Sequence, residues 1–196
     1  MTSEALGAPF DTHELRHAFG TFATGVTVVT CNADDGVPHG ATVNAFTAVS
    51  LDPPLAQVTL TRTSRAARYL EGAPFAINIL SLDQLDVARH FAGRVMEDEP
   101  EWTLDGDVPI LTRNAATLEC RPWNIYDGGD HIIVVGEVIA LDVTGREPLL
   151  YFGGTFHEIG RLVDGAAGDR TAEVPETPDD GWFAGARSFK PLSHEP

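Results

Sequence analysis

The spacing of apolar positions changes period repeatedly along the chain. Leu15, Ala18, Phe19 and Phe22 recur at helical spacing behind Asp11, and Glu14 lies three residues after that aspartate. A capping box therefore opens an amphipathic helix, which Gly25 ends. The β-branched run Val26–Cys31 predicts a strand. Asp34-Asp35-Gly36 is a turn, and residues 39–50 form a second extended stretch rich in small and hydroxyl side chains. After the rigid break Asp52-Pro53-Pro54, Leu55–Thr61 predicts a third strand. Ser64 caps a short helix to Leu70, Phe75–Leu80 is a fourth strand, and Ser81 with Gln84 caps a helix ending at Gly93. Residues 94–110 read as a solvated loop with six acidic side chains. Ala115–Tyr126 and Asp130–Leu141 flank an Asp127-Gly128-Gly129 turn as a long hairpin. Leu149–Phe152 and Thr155–Ile159, divided by Gly153-Gly154, are the last strands.

Six or more strands with only three short helices predict a mainly β fold. The core is of β-barrel type with a few short helices, because regular helical crossovers are missing. One domain is expected over 11–163, after a flexible leader at 1–10. From Asp164 the composition turns acidic and loses apolar periodicity, so 164–196 reads as a tail. Its Trp182, Phe183 and Phe189 suggest docking onto the body or a second subunit.

Charge narrows the function classes. The 196 residues carry 13 basic and 29 acidic side chains, a net charge of −16. Such a field repels phosphate backbones, so nucleic acid is not an expected partner. No apolar run reaches the roughly 20 residues that span a bilayer, and no signal peptide is expected at the N-terminus. Cys31 and Cys120 both sit in strand-like apolar runs, which predicts buried free thiols and suits a cytoplasmic location. His13, His17, His157 and His194 show no metal-ligand spacing, so no metal site is expected. The G-x-S-x-G elbow, the GxGxxG fingerprint and the Walker loop are all missing from the sequence.

Four stretches could carry chemistry. The run from His39 to Ser50 is small enough for a flat ligand to approach the backbone, with Thr42, Asn44 and Ser50 as donors and acceptors; a polar edge strand has the same composition. Thr61-Arg62-Thr63-Ser64-Arg65 gathers hydroxyls, guanidiniums and free N–H groups at a helix start, as a phosphate site or as an ordinary capped helix. Arg89-His90-Phe91-Ala92-Gly93-Arg94 could wall an aromatic ligand or simply end a helix. In Gly129-Asp130-His131 a tight turn fixes an imidazole at a strand mouth, either for catalysis or merely as a strand start.

Together these stretches resemble the flavin reductase-like family, the short-chain reductases that partner two-component flavin monooxygenases. The resemblance runs from Phe19 to Ile159 through Phe22–Thr30, Asn44–Pro54, Phe75–Ser81, His90–Gly93, Leu118–Cys120, Gly129–His131 and Pro148–Phe152. It implies a split β-barrel of FMN-binding type that works as a homodimer. It also implies that NADH or NADPH delivers hydride to FMN or FAD, and that the reduced flavin passes to a separate monooxygenase. The alternatives are a flavoprotein that keeps its flavin for another substrate and a flavin-binding module without turnover. By the same resemblance, Thr42, Asn44, Ala45, Val49 and Ser50 line the isoalloxazine. Thr63 and Ser64, helped by Arg62 or Arg65, meet the phosphate, and Phe91 and Ala92 wall the ring. Asp130 and His131 belong to the Gly-Asp-His motif associated with nicotinamide binding and hydride transfer. Ala66 departs from the family, which often has a hydroxyl residue there, and Gly153-Gly154 lacks the basic side chains of some relatives.

Overall fold

The computed structural model describes residues 11–161. The leader at 1–10 and the tail, with Trp182, Phe183 and Phe189, lie outside the described residues. In chain order the elements are α1 (Thr12–Gly20), β1 (Thr24–Gly25), β2 (Thr27–Asn32), β3 (Pro38–Val43), β4 (Phe46–Leu51), β5 (Pro54–Thr61), α2 (Arg65–Tyr69), β6 (Phe75–Ile79), a 3-10 turn (Leu82–Gln84), α3 (Leu85–Phe91), β7 (Trp102–Thr103), β8 (Ile110–Leu111), β9 (Ala116–Gly128), β10 (His131–Val143), β11 (Leu150–Phe152) and β12 (Thr155–His157).

Seven strands form one antiparallel sheet in the order β3-β2-β6-β9-β10-β5-β4. Laid flat, its two edges would lie about 29 Å apart, at about 4.8 Å per strand. Yet β3 and β4, the two edges, are joined by Asn44 and Ala45 alone, a link that reaches about 11 Å at most. The sheet must therefore roll up. The extended 39–50 stretch is one segment serving both edges of the barrel, and just after the bend it joins the β4–β5 ladder, where Thr59 N donates to Ala45 O at 3.0 Å. Val43 and Phe46 both pack against the same interior cluster although they are three residues apart. Uninterrupted alternation would place them on opposite faces, so the Asn44-Ala45 bend shifts the phase by one residue.

The barrel interior holds Val29, Cys31, Val58, Leu60, Phe75, Ile77, Cys120 and Val134, with Ala66, Ala67 and Leu70 packed in from the α2 region. A second apolar layer, with Val26, Val28, Leu80, Ala88, Leu111 and Leu149, covers the outer face of β2 beneath α3. Thr27–Cys31 is thus buried on both faces, which explains its unbroken β-branched run.

Gly136 on β10 is where the wall is tightest. A Cβ there would stand 2.5 Å from Phe75 Cζ and 2.7 Å from Cys120 Cβ. Cys120 pairs with Phe75, and Cys31 stands one residue beyond the Thr30–Ala76 pair on Phe75's other side. Two strand spacings, about 10 Å, separate the thiols, beyond the roughly 7 Å reach of a disulfide. Both are free, as expected. Burial pushes the Cys31 thiol up to about 11 and that of Cys120 to about 12.

Three expectations need correction. α1 forms with both capping-box bonds but ends at Gly20, and the other described residues leave its apolar face largely uncovered: Phe19 and Phe22 are 69% and 73% exposed. The hairpin turn is Gly129-Asp130, because Gly128 already pairs with His131 and Gly129 supplies the positive φ. The 94–110 segment is not simply a solvated loop. β7 and β8 pair within it, and Thr30 Oγ1 donates to Pro109 O at 2.5 Å. At its end, buried Asn78 Oδ1 accepts from Leu111 N at 3.0 Å and Asn114 Nδ2 at 2.9 Å.

Candidate active site

Two groups of side chains meet on the outer wall of the barrel, at the end where β5 finishes and β10 begins. The first gathers on the hairpin turn. His131 pairs with Thr61 across the strands. Its Nδ1 lies 2.7 Å from Asp130 Oδ1, and its Nε2 lies 3.2 Å from Thr61 Oγ1. Asp130 accepts from an Nδ1–H, and Nε2 shares the second hydrogen bond with the threonine hydroxyl, in the direction that the tautomer sets. The imidazole is thus fixed on both sides while its ring stays about two-fifths exposed. The Asp130 carboxyl is held below the ordinary aspartate range, first by its hydrogen bond to His131 and then by the charge of that ring.

Arg62 serves this turn rather than open solvent. Its Nε donates to Gly129 O at 2.6 Å, its Nη2 meets Asp127 Oδ2 at 2.6 Å, and its backbone N–H donates to Asp130 O at 3.1 Å. Asp127 is lowered by the Gly129 N–H and by the Arg62 charge. Two residues on, Ser64 caps α2 by accepting from Ala67 N at 3.1 Å. Its hydroxyl proton, like that of neighbouring Thr63, meets no acceptor among the described residues. Ala66 is fully buried in the barrel, so a hydroxyl there would face the core rather than a ligand.

The second group is a cavity of about 690 Å³. Thr42, Val43 and Asn44 form one side. Leu85, Arg89, Ala92 and Arg94, on α3 and just beyond it, form another, and Tyr151, Gly154, Thr155 and Phe156 of the β11–β12 hairpin face them. Tyr151 and Phe156 stack edge to face, with ring centroids 5.3 Å apart. Gly153 and Gly154 have φ of +57° and +83°, the signature of a two-residue I′ turn. The two groups are linked through the end of the β4–β5 ladder: the Ala45–Thr59 bond lies one residue past Asn44 and two before Thr61.

The sequence-predicted residues divide accordingly. Thr42, Asn44 and Ala92 share the cavity, although the Thr42 hydroxyl is spent on Ala88 O at 2.7 Å. Ala45 joins the β4–β5 ladder through its bond to Thr59. Arg62, Thr63, Ser64, Asp130 and His131 gather at the turn. Phe91 lies behind the wall, on Gly40: a Cβ at Gly40 would meet its ring at 2.9 Å. Val49 and Ser50 lie at the other end of β4. Ser50 pairs with Leu55 whereas His131 pairs with Thr61, about 20 Å apart by strand rise. Arg89 and Arg94 belong to a stretch singled out in the sequence but were given no role of their own, and Tyr151 and Phe156 were not assigned to the site. The two arginines carried a signal, bracketing the Phe91-Ala92 pair in a chain poor in cations. The β11–β12 pair approaches from more than 100 residues away, a distance that local pattern does not report.

An open wall, two cations and a fixed imidazole describe a binding site without naming its ligand. The model of the flavin reductase like domain matches residues 19–160. The chain belongs to this family. FMN reductase (NADH) SmoA of Agrobacterium fabrum is 40% identical over 155 residues, covering 77% of this chain and 88% of that protein. An NADH-dependent FAD reductase of Streptomyces globisporus is 40% identical over 166 residues, covering 80% and 90%. The chain spans half the length of a probable flavin reductase of Rhizobium meliloti to which it is 45% identical. The solved styrene monooxygenase flavin reductase of Pseudomonas putida S12 superposes with a TM-score of 0.71 at 31% identity, covering 76% of this chain and 99% of that one. The split-barrel architecture is that of a flavin reductase-fold protein. Among the described residues no helix is long and apolar enough to cross a membrane.

Proposed function

We propose that this protein is an NADH-dependent flavin reductase that supplies reduced FMN or FAD to a separate monooxygenase component. The observation that carries this reading is the placement of a fixed, half-open imidazole beside a cavity built for a flat anionic ring system. The residues present fit a flavin: a strand of small side chains, an aromatic pair, and two guanidiniums with no carboxylate among the described residues of the lining. When bound, flavin and nicotinamide supply the hydride chemistry themselves. The protein's part is to position. Asp130 and Thr61 hold His131 in one orientation at the rim, Arg62 fixes the turn that carries it, and Ser64 and Thr63 offer hydroxyls to a phosphate. The names of the relatives favour NADH over NADPH, and that of the styrene monooxygenase reductase supports a separate oxygenase as recipient.

Mixing purified protein with NADH or NADPH, with and without added FMN or FAD, tests the reading. Oxidation of NADH that rises with free flavin is expected. Turnover without added flavin points to a flavoprotein that retains its flavin, and no consumption points to a binding module.

Ser64→Ala is expected to weaken flavin binding several-fold in a fluorescence titration. It also removes a helix cap worth about 1 kcal/mol, whereas Ser64→Gly loses only a few tenths. If both variants bind flavin as the wild type does, Ser64 only caps.

The exposed aromatics Phe19, Phe22, Trp123 and Tyr126 support a homodimer that covers part of this surface. A monomer in sedimentation at micromolar concentration would overturn that assembly. The two raised, buried thiols suit a reducing cytoplasm.

A further inference from the structure

We infer that Arg94, aided by Arg89, forms a second anion subsite that makes this protein select a dinucleotide flavin over a mononucleotide one. The inference deepens the flavin-reductase reading and rests on it.

The end of α3 is built to put both guanidiniums on one wall. Arg94 N donates to Arg89 O at 2.9 Å and Gly93 N donates to His90 O at 3.0 Å. Gly93 has a φ of +98°. These are the two bonds and the left-handed residue of a Schellman motif, which turns the chain back across the last helical turn. Arg94 is thereby returned to the face of Arg89, and both line the cavity.

Among the described residues no carboxylate lines the cavity, in a chain with more than twice as many acidic as basic side chains. Among the described residues Arg94 has no ion pair or hydrogen bond through its guanidinium. Arg89 has a long, exposed contact with Asp86 at 3.5 Å, of the kind that contributes little. Two nearby cations with no competing carboxylate in the lining suit a phosphate or diphosphate, which guanidinium binds through paired N–H donors. Tyr151 and Phe156 lie in the same cavity as an aromatic surface for a base. A mononucleotide has a single phosphate, for which Thr63 and Ser64 already offer hydroxyls at the other group. A cation pair beside aromatic rings, separate from those hydroxyls, matches the additional phosphate and base that distinguish FAD from FMN.

Equilibrium fluorescence titration of wild type, Arg94→Ala and Arg94→Lys with riboflavin, FMN and FAD tests this without turnover. Wild type is expected to bind FAD more tightly than FMN. Arg94→Ala should weaken FAD about tenfold, the scale of one charge-assisted contact, with FMN changed less than about threefold and riboflavin unchanged. Arg94→Lys should recover part of the FAD affinity, and added salt should narrow the gap between FAD and FMN. Equal losses for FMN and FAD would overturn the inference, because Arg94 would then serve the phosphate they share. A loss for riboflavin would make Arg94 a ring contact, and unchanged FAD binding would leave it a surface residue. Either result overturns the inference. Wild type that binds none of the three would instead remove the flavin reading, and this inference with it. Circular dichroism melts that coincide for all three proteins exclude a folding effect.

Discussion

Replacing His131 with alanine is expected to lower NADH oxidation at saturating flavin by about 100-fold, the scale on which lost orientation of reactants is felt. Flavin affinity should stay within about twofold. The expectation follows from what the imidazole touches. Its two nitrogens are taken up by Asp130 and Thr61, and it lies outside the cavity lining, so its removal leaves the cavity walls intact. A second variant separates positioning from mere presence. Asp130→Asn keeps the imidazole but replaces its charged partner, so it should give an intermediate loss in kcat with unchanged flavin binding. Steady-state rates alongside flavin titration decide the matter. Unchanged turnover in His131→Ala would reduce the residue to a strand start, and a matching loss of flavin affinity would place it in the flavin site itself.

Gly136→Ala is expected to be among the most destabilising single-methyl additions in the chain. The new Cβ meets the Phe75 ring and the Cys120 Cβ well inside contact distance. Phe75 is fully buried, and the Cys120 atom is bonded directly to its backbone, so neither can swing away. Overpacking of this kind costs about 3 kcal/mol, which for a chain of this size lowers Tm by roughly 10 °C. Melts at a fixed protein concentration measure it. Phe75→Leu removes half of the obstruction. The double variant should therefore lose less than the two single variants together, a coupling expected only between groups in contact. A Tm within about 2 °C of wild type would show that the β10 wall yields.

The parts of the fold that local chemistry controls were legible in the sequence. Asp11 with Glu14 marked the start of α1 and Ser64 that of α2, and Ser81 with Gln84 marked the 3-10 turn that leads into α3, because a cap needs only residues three apart. The strands followed from β-branched runs. What could not be read were the outcomes that depend on distant partners. The apolar face of α1 looked like a core face, but periodicity does not say whether anything covers it. The acidic 94–110 segment looked free, but Asn78 and Thr30, more than 30 residues upstream, hold its far end. At the site, the turn was legible because Gly129, Asp130 and His131 are contiguous. The neighbouring cavity was legible only on its β3 side and at Ala92. Val49 and Ser50 belong to the same extended run as Thr42, yet the bend at Asn44 and the strand rise carry them to the other end of the barrel.

That bend places a parity condition on the chain. The one extended segment that closes the barrel reaches both edges with its interior positions in opposite phase, odd before Asn44 and even after Ala45 at Phe46. With the bend kept, a deletion or insertion of one residue there would bring Thr47 or Ala45, respectively, to the place of Phe46, turning the rest of β4 inside out. Changes of two residues would preserve the phase and alter only the reach. The length of this join is therefore constrained by its evenness more than by its size, and a ligand seated on Asn44 rests on the point where that count is set.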